Sequence, residues 1–392
     1  MLHCKTLLGL KEVLLFLTLL RLLTNTSAHL HYLRKCEDKP HCHRQMHYRE
    51  SVKNATSFDP SLISYSIIPS SLNLSELGKL SGLINKSFKV EREHETLFQN
   101  IELPFEFQFN PNSDYNTVRF LIKEDREYKM KKNIPQHVQI DRYNKTYKHT
   151  FKDIHYFDWD YQNTSSAYKL DYENGSADSF ETLIITPSNQ LDLKLRITNQ
   201  PSLKIEYIYK GNPVLVINDE NLFNYEHLRA QKDKKDNLSS FESPFGAFRS
   251  DSDYYNSYTQ SEMFFERENY IFGPQSIGVD LKFKNITNLY GIPEHPGSLR
   301  LLETWNRDYE PYRLFNLDAF EHSVSNNDPL YGSIPFMLGV SEWVSEGVLN
   351  KNHSDKDGDV KYEKHDSVTN WIMETGILDL NVFIDESQAR VL

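Results

Sequence analysis

A recurring two-residue period is the feature that most constrains this chain. Glu102-Leu103-Pro104-Phe105-Glu106-Phe107-Gln108-Phe109 alternates polar and apolar residues. Successive side chains of a strand point to opposite faces, so such a run buries one face and wets the other. Short extended runs recur at 118–122, 182–186, 191–198, 203–209, 213–217 and 277–283. Turn signals separate them at Asn110-Pro111-Asn112, Asn174-Gly175, Gln200-Pro201 and Lys210-Gly211-Asn212. Few segments carry an apolar stripe at helical spacing, so the strand–helix alternation of a parallel-sheet enzyme is missing. The pattern predicts an all-β chain folded as an antiparallel β-sandwich.

Charge narrows the partners. Lys plus Arg number 44 against 55 Asp plus Glu, a formal net charge of −11, so the basic footprint that nucleic acid requires is absent. At 39% hydrophobic residues the chain is too apolar for a disordered one.

The N-terminus is laid out as a secretory signal peptide over 1–28: Lys5 and Lys11, an apolar run over 13–20, then Asn25-Thr26-Ser27-Ala28, with cleavage expected near Ala28. The competing reading is a membrane anchor. Against it, Lys11, Glu12 and Arg21 leave an apolar core short of the roughly 20 residues a span needs. No later run is long and apolar enough, so the mature chain is expected to lack a membrane span. Permitted N-glycosylation acceptors stand at Asn54, Asn73, Asn85, Asn144, Asn163, Asn174, Asn237, Asn285 and Asn352. With Cys4 removed, Cys36 and Cys42 remain, and an oxidising lumen would join them across a short loop. A zinc site using them with His29, His31, His41, His43 and His47 is the alternative, but the spacing fits no closed-site pattern. A disulfide is the expectation, with no metal and no cofactor.

Three segments follow: 29–100, holding the cysteine loop; 101–392, the sandwich; and within it an exposed insertion at about 230–259, marked by Lys232-Asp233-Lys234-Lys235-Asp236.

Beyond Phe272 the motifs become specific. Phe272-Gly273-Pro274-Gln275-Ser276-Ile277-Gly278-Val279-Asp280 precedes Asn288-Leu289-Tyr290-Gly291-Ile292-Pro293-Glu294-His295. Tyr312-Arg313-Leu314-Phe315-Asn316-Leu317-Asp318 and Tyr331-Gly332-Ser333-Ile334-Pro335-Phe336 follow. In that order, the runs resemble the N-terminal domain of family 31 glycoside hydrolases, over about 272–340 and 371–384. The Cys36 to Arg44 element resembles the mature N-terminus of family members in the endoplasmic reticulum. The resemblance implies a galactose-mutarotase-like sandwich. It also implies retaining α-glucosidase activity on glucosylated N-glycans or other α-glucosides in the endoplasmic-reticulum lumen, beside a lectin-like β subunit.

The residues have their own reading. Gly291, Pro293 and Pro296, then Gly332 and Pro335, punctuate two loops at one end of a sheet. Asp318, between Leu317 and Ala319, can offer a carboxylate to sugar hydroxyls. The resemblance gives it substrate contact over the mouth of a neighbouring barrel; the plain alternative is an Asp that caps its own turn.

Retaining hydrolysis needs two carboxyl groups about 5 Å apart. The family's nucleophile lies in a Trp-x-Asp-Met element, and no such string occurs; Trp371-Ile372-Met373-Glu374 is a mimic, with Glu374 expected to be structural. The chain stops at Leu392, about where the family's barrel begins, so no turnover is expected of it alone. After Val340 the family has a Phe-Trp-Leu-Asn type strand. Here 341–366 is polar and is expected to form a solvated loop. Within it Asp355-Lys356-Asp357-Gly358-Asp359 resembles part of a calcium loop, but its Gly comes two positions early for an EF-hand, and a charged loop is the reading. Tyr156-Phe157-Asp158-Trp159-Asp160-Tyr161 reads as a strand and its turn, with a sugar-binding face as the alternative. Two further functional readings stay open: a stand-alone carbohydrate-binding or partner-docking module, and a truncated gene product.

Overall fold

The computed structural model describes residues 35–36, 39–54, 63–74, 79–92, 95–109, 116–123, 168–187, 192–226, 276–306, 310–318, 327–350, 354, 356–374, 376–387 and 391. The signal peptide, the 230–259 insertion, residues 156–161 and the acceptors Asn144, Asn163, Asn237 and Asn352 lie outside them. The chain divides at Lys39–Pro40 into a short and a long unit. In the first, the Lys39 amide donates to the Cys36 carbonyl at 3.1 Å. Cys36 and Cys42 are disulfide-bonded.

The long unit holds two sheets, with strands numbered in chain order and every pairing antiparallel. The first sheet runs β1 (Ile63–Ile67), β3 (Lys79–Arg92), β4 (Glu95–Phe109), β5 (Asn116–Ile122), β19 (Leu378–Asp385), β16 (Ser345–Asn350), β15 (Phe336–Val340) and β13 (Leu289–Gly291), with β2 (Asn73–Leu74) on β3. The second runs β14 (Tyr312–Leu314), β17 (Lys356–Tyr362), β18 (Ser367–Met373), β12 (Ile277–Phe283), β10 (Asn212–Ile217), β9 (Lys204–Tyr209), β8 (Leu193–Thr198), β7 (Thr182–Pro187) and β6 (Tyr168–Glu173), with β11 (Asn224–Tyr225) on β12. The fold is an antiparallel β-sandwich, as the alternation requires.

The inner faces form one apolar core. Leu103, Phe105, Phe107 and Phe109 all lie on one side of β4 and are buried, and Phe107 stacks on Phe120 of β5 with centroids 4.6 Å apart. Opposite them, Leu183, Ile185, Leu195, Ile197, Ile205, Tyr207, Val279, Leu281 and Trp371 are equally buried. Such burial supplies the main driving force at ~25 cal/mol per Å² of apolar area. Charged residues enter this face too: Lys86 of β3 is buried there and donates to the Tyr225 carbonyl at 2.6 Å. Glu346 of β16 is fully buried, and among the described residues neither of its carboxylate oxygens has a hydrogen-bond partner. Desolvation raises its pKa well above the ordinary glutamate value, because burial disfavours the charged form.

The outer face of the second sheet is covered by α1 (Pro40–Asn54), a helix rich in polar and charged residues that also buries Cys42, Met46 and Tyr48. It docks through charge. Arg44 grips Glu226 with two bonds of 2.8 and 2.9 Å. Arg49 Nη1 lies 2.6 Å from Asp359 Oδ2, and His41 Nε2 lies 3.1 Å from Asp357 Oδ2. Gln45 donates to Ser276 Oγ at 2.8 Å, and a Cβ on Gly278 would stand 2.5 Å from Gln45 Oε1. The glycine of this strand makes room for the helix.

Two expectations are corrected here. Residues 341–366 are not a solvated loop: they hold β16 and β17, both largely buried. The reason is that Val344, Val348 and Val360 point into the core, while Asp357 and Asp359 face α1, where His41 lies 3.1 Å from the first and Arg49 pairs with the second. Polarity signals solvent only where no partner comes to meet it. Nor does the sandwich begin at 101: β1, β2 and β3 belong to the first sheet, and β4 passes through that point because its ladder with β3 runs from Arg92–Glu95 to Lys79–Gln108 without interruption.

Candidate functional site

The loops that the Gly and Pro punctuation marks out meet at one end of the sandwich. β13 ends at Gly291, whose φ is +104°. A Cβ there would lie 2.4 Å from the Phe336 carbonyl oxygen, so both the backbone angle and the close approach demand glycine. The Ile292 amide then donates to that carbonyl at 2.7 Å. Next, the Glu294 amide donates to the Gly332 carbonyl at 2.7 Å and the Ile334 amide to the Pro293 carbonyl at 2.8 Å. Gly332 returns its own amide to Glu294 Oε2 at 2.9 Å. The segment after β14 joins through the Leu317 amide, 2.7 Å from the Leu330 carbonyl, and the Leu330 amide donates to the Glu294 carbonyl at 3.1 Å. Three loops are thus sewn together by main-chain bonds. His295 braces the first, its ring nitrogens 3.2 Å from the Gly291 carbonyl and 3.1 Å from the Pro296 carbonyl, with its ring against Tyr312 at 4.8 Å.

Asp318 stands exposed on this platform. Among the described residues its side-chain partner is the Tyr331 phenol, which donates to Oδ1 at 3.0 Å. The hydrogen bond to the carboxylate, then its charge, raises the Tyr331 pKa above the ordinary phenol value. Tyr331 and Ile334 are themselves more than half exposed. The arrangement offers a directed acceptor with an aromatic ring and an aliphatic side chain beside it, and a carboxylate with one oxygen so engaged keeps acceptor capacity for hydroxyl donors.

Other candidates separate. Trp371 and Met373 are fully buried in β18, and Glu374 is exposed just past its end. Asp357 and Asp359, read as part of a calcium-like loop, are consecutive outward residues of β17 spent on His41 and Arg49, with Thr304 Oγ1 also donating to Asp359 at 3.0 Å. Among the described residues no three metal-binding side chains converge. The sequence reading passed over Tyr331 and Glu294 as parts of a loop motif. A tyrosine beside a glycine, 13 positions after a candidate carboxylate, was the available signal.

Residues 104–357 match the family model described as the glycosyl hydrolase 31 N-terminal galactose mutarotase-like domain. The chain belongs to this family. Its similarity to the glucosidase 2 subunit alpha of Saccharomyces cerevisiae is 27% identity over 377 residues, 89% of this chain and 35% of the relative. The Schizosaccharomyces pombe glucosidase 2 subunit alpha is 31% identical over 197 residues, covering 48% of this chain and 20% of the relative. Among solved structures, the DNJ-bound glucosidase II alpha subunit superposes with a TM-score of 0.67 at 21% identity, covering 92% of this chain and 36% of that one. The ER glucosidase II heterodimer of catalytic subunit and regulatory-subunit binding domain gives 0.66 at 22% identity, covering 91% and 36%. The family 31 chain described here therefore spans about a third of the length of those relatives. No helix among the described residues is long and apolar enough to cross a membrane.

Proposed function

We propose that this chain is the sugar-facing N-terminal part of an α-glucosidase that removes terminal α-linked glucose from N-glycans in the endoplasmic-reticulum lumen. The carrying observation is Asp318, exposed on three mutually bonded loops and aimed by Tyr331. Family membership and similarity to glucosidase 2 alpha subunits over most of the chain support it. In this reading Asp318 contacts substrate at the mouth of a barrel that supplies the two reacting carboxylates, which are absent here because no Trp-x-Asp-Met string occurs. The 392 residues alone release no glucose. Residues 1–28 direct the chain to the lumen, it is a glycoprotein there, and a lectin-like β subunit is its partner.

The test is a chimera in which this chain replaces the corresponding N-terminal third of the yeast relative. The chimera should hydrolyse an aryl α-glucoside, and D318A should lower its kcat/KM about tenfold or more, the loss expected of ~1.4 kcal/mol of transition-state contact. Equal activity with and without Asp318 overturns the assignment. Glucose released by the 392-residue chain itself, and abolished by D318A, overturns the missing-carboxylate argument. A stand-alone carbohydrate-binding module is the second reading, favoured by the exposure of Tyr331 and Ile334 beside Asp318. It predicts heat on titrating this chain with an α-linked glucose disaccharide at millimolar concentration, where the lid reading predicts none.

A further inference from the structure

The acceptor sequences for N-linked glycans are chemically alike in sequence, and the fold tells them apart. A glycan attached to a nascent chain has to be left in solvent when folding finishes, so an acceptor must project its amide outward with room for a bulky, hydrated group.

From this geometry we infer that Asn285 is a glycosylated residue of the mature protein, an inference that rests on the secretory reading above. Asn285 and Thr287 are both exposed, while Ile286 between them is fully buried. The middle residue is anchored in the core: its carbonyl accepts from Ser367 Oγ at 2.6 Å, and its side chain lies against the Cα of Gly339, where an added Cβ would approach Ile286 Cδ1 to 3.0 Å. With the middle residue held inward, Asn285 and Thr287 both lie at the surface, where the Thr287 hydroxyl accepts from Asn288 Nδ2 at 3.4 Å. The turn is fixed as well. Asn285 has φ +57°, an angle that asparagine tolerates better than most residues, and its backbone amide donates to Asp366 Oδ1 at 2.9 Å, leaving the side-chain nitrogen uncommitted among the described residues.

The other acceptors whose side chains are described differ. Asn85 is half-buried in mid-sheet, paired with Ser66 of β1 and Glu102 of β4. Asn174 is exposed, but its Nδ2 already donates to Glu181 Oε2 at 2.8 Å. Asn73 is exposed, with its hydroxyl residue Ser75 outside the described residues.

Position adds a second argument. Phe283, two residues before Asn285, pairs with Ser367, whereas Ile277 at the other end of the same ladder pairs with Met373, the partner of Lys356, which pairs with Leu314. The Asn285 turn and the Asp318 platform thus leave opposite ends of the second sheet, separated by six residue steps or ~20 Å along the strand direction. A glycan at Asn285 leaves the platform clear. The reaction joins the amide nitrogen to the anomeric carbon of a lipid-diphosphate-linked oligosaccharide: the C–N bond forms, the bond from the anomeric carbon to the phosphate oxygen breaks, the lipid diphosphate departs and the amide loses one proton.

The full chain is to be expressed in a eukaryotic secretory host, once with its own N-terminus and once behind a host leader, and digested after enzymatic deglycosylation in heavy-oxygen water. That treatment converts a glycosylated asparagine to labelled aspartate. Labelled conversion at Asn285 in most molecules is expected, as is the loss of one glycan's mass in both N285Q and T287V. An unlabelled Asn285 peptide from the host-leader material overturns the inference, whatever the other acceptors show. Label at Asn285 behind the host leader but not behind the chain's own N-terminus supports the site and overturns the secretory reading instead.

Discussion

The second sheet has two covered faces built on opposite chemistry. Its inner face meets the first sheet with Val279, Leu281, Trp371 and Met373. Its outer face meets α1 with Asp357, Asp359, Gln45 and Arg49, all buried and nearly all charged. Both exclude water, yet they respond to damage differently. Truncating an apolar side chain leaves a cavity, whereas a charge orphaned under a helix leaves an uncompensated ion. The inner face therefore confers stability by area, and the outer face fixes where the helix sits by pairing.

The most damaging change expected on the inner face is Trp371→Ala, which should cost ~3–5 kcal/mol, read as a lowered urea midpoint at unchanged slope. On the outer face, Arg49→Met should cost ~3 kcal/mol by leaving Asp359 without its cation. The double change R49M/D359L should recover most of it, because removing both partners removes the orphan. A double mutant as unstable as the single one would show that the outer face works by area after all.

Acidity sharpens the contrast further. Burial raises the Glu346 pKa and pushes the Asp280 carboxyl up to about 7. The folded state then keeps protons that the unfolded state has released, so this contribution to stability is full below the unfolded pKa values and declines as pH rises through the window up to the folded ones. For Asp280 that window runs from its ordinary value of 3.8 to about 7. Glu346→Gln keeps the shape and removes the titration. It should match wild type below pH ~4 and gain on it by ~1.4 kcal/mol per pH unit above; parallel stability curves would refute the raised pKa. The smallest effect is expected on the exposed platform: Tyr331→Phe should leave stability within ~0.5 kcal/mol, while the phenol titration coupled to Asp318 disappears from ultraviolet difference spectra.

The inner face was legible because alternation along β4, β7, β8 and β9 reports burial directly. The outer face was not. Asp357 and Asp359 look solvated in sequence, and the residues that bury them, His41 and Arg49, lie 316 and 310 positions away. No local window contains both halves of such a pair. The platform falls between these cases: punctuation by Gly291, Pro293 and Pro335 located the loops, and motif likeness singled out Asp318, but the phenol that orients it became visible only when two loops were placed side by side.

The order in which the chain leaves the ribosome acquires weight from one detail of the first sheet. Among the described strands β19 comes last in the sequence and yet lies in the sheet's interior, between β5 and β16. Until Leu378–Asp385 has emerged, two strand groups face each other with a missing rung, their inward Phe, Leu and Val side chains and unpaired main-chain edges open to any other extended polypeptide. Completion of this sandwich thus waits for Leu378–Asp385, and the strands made before it must be shielded until then rather than folding piece by piece.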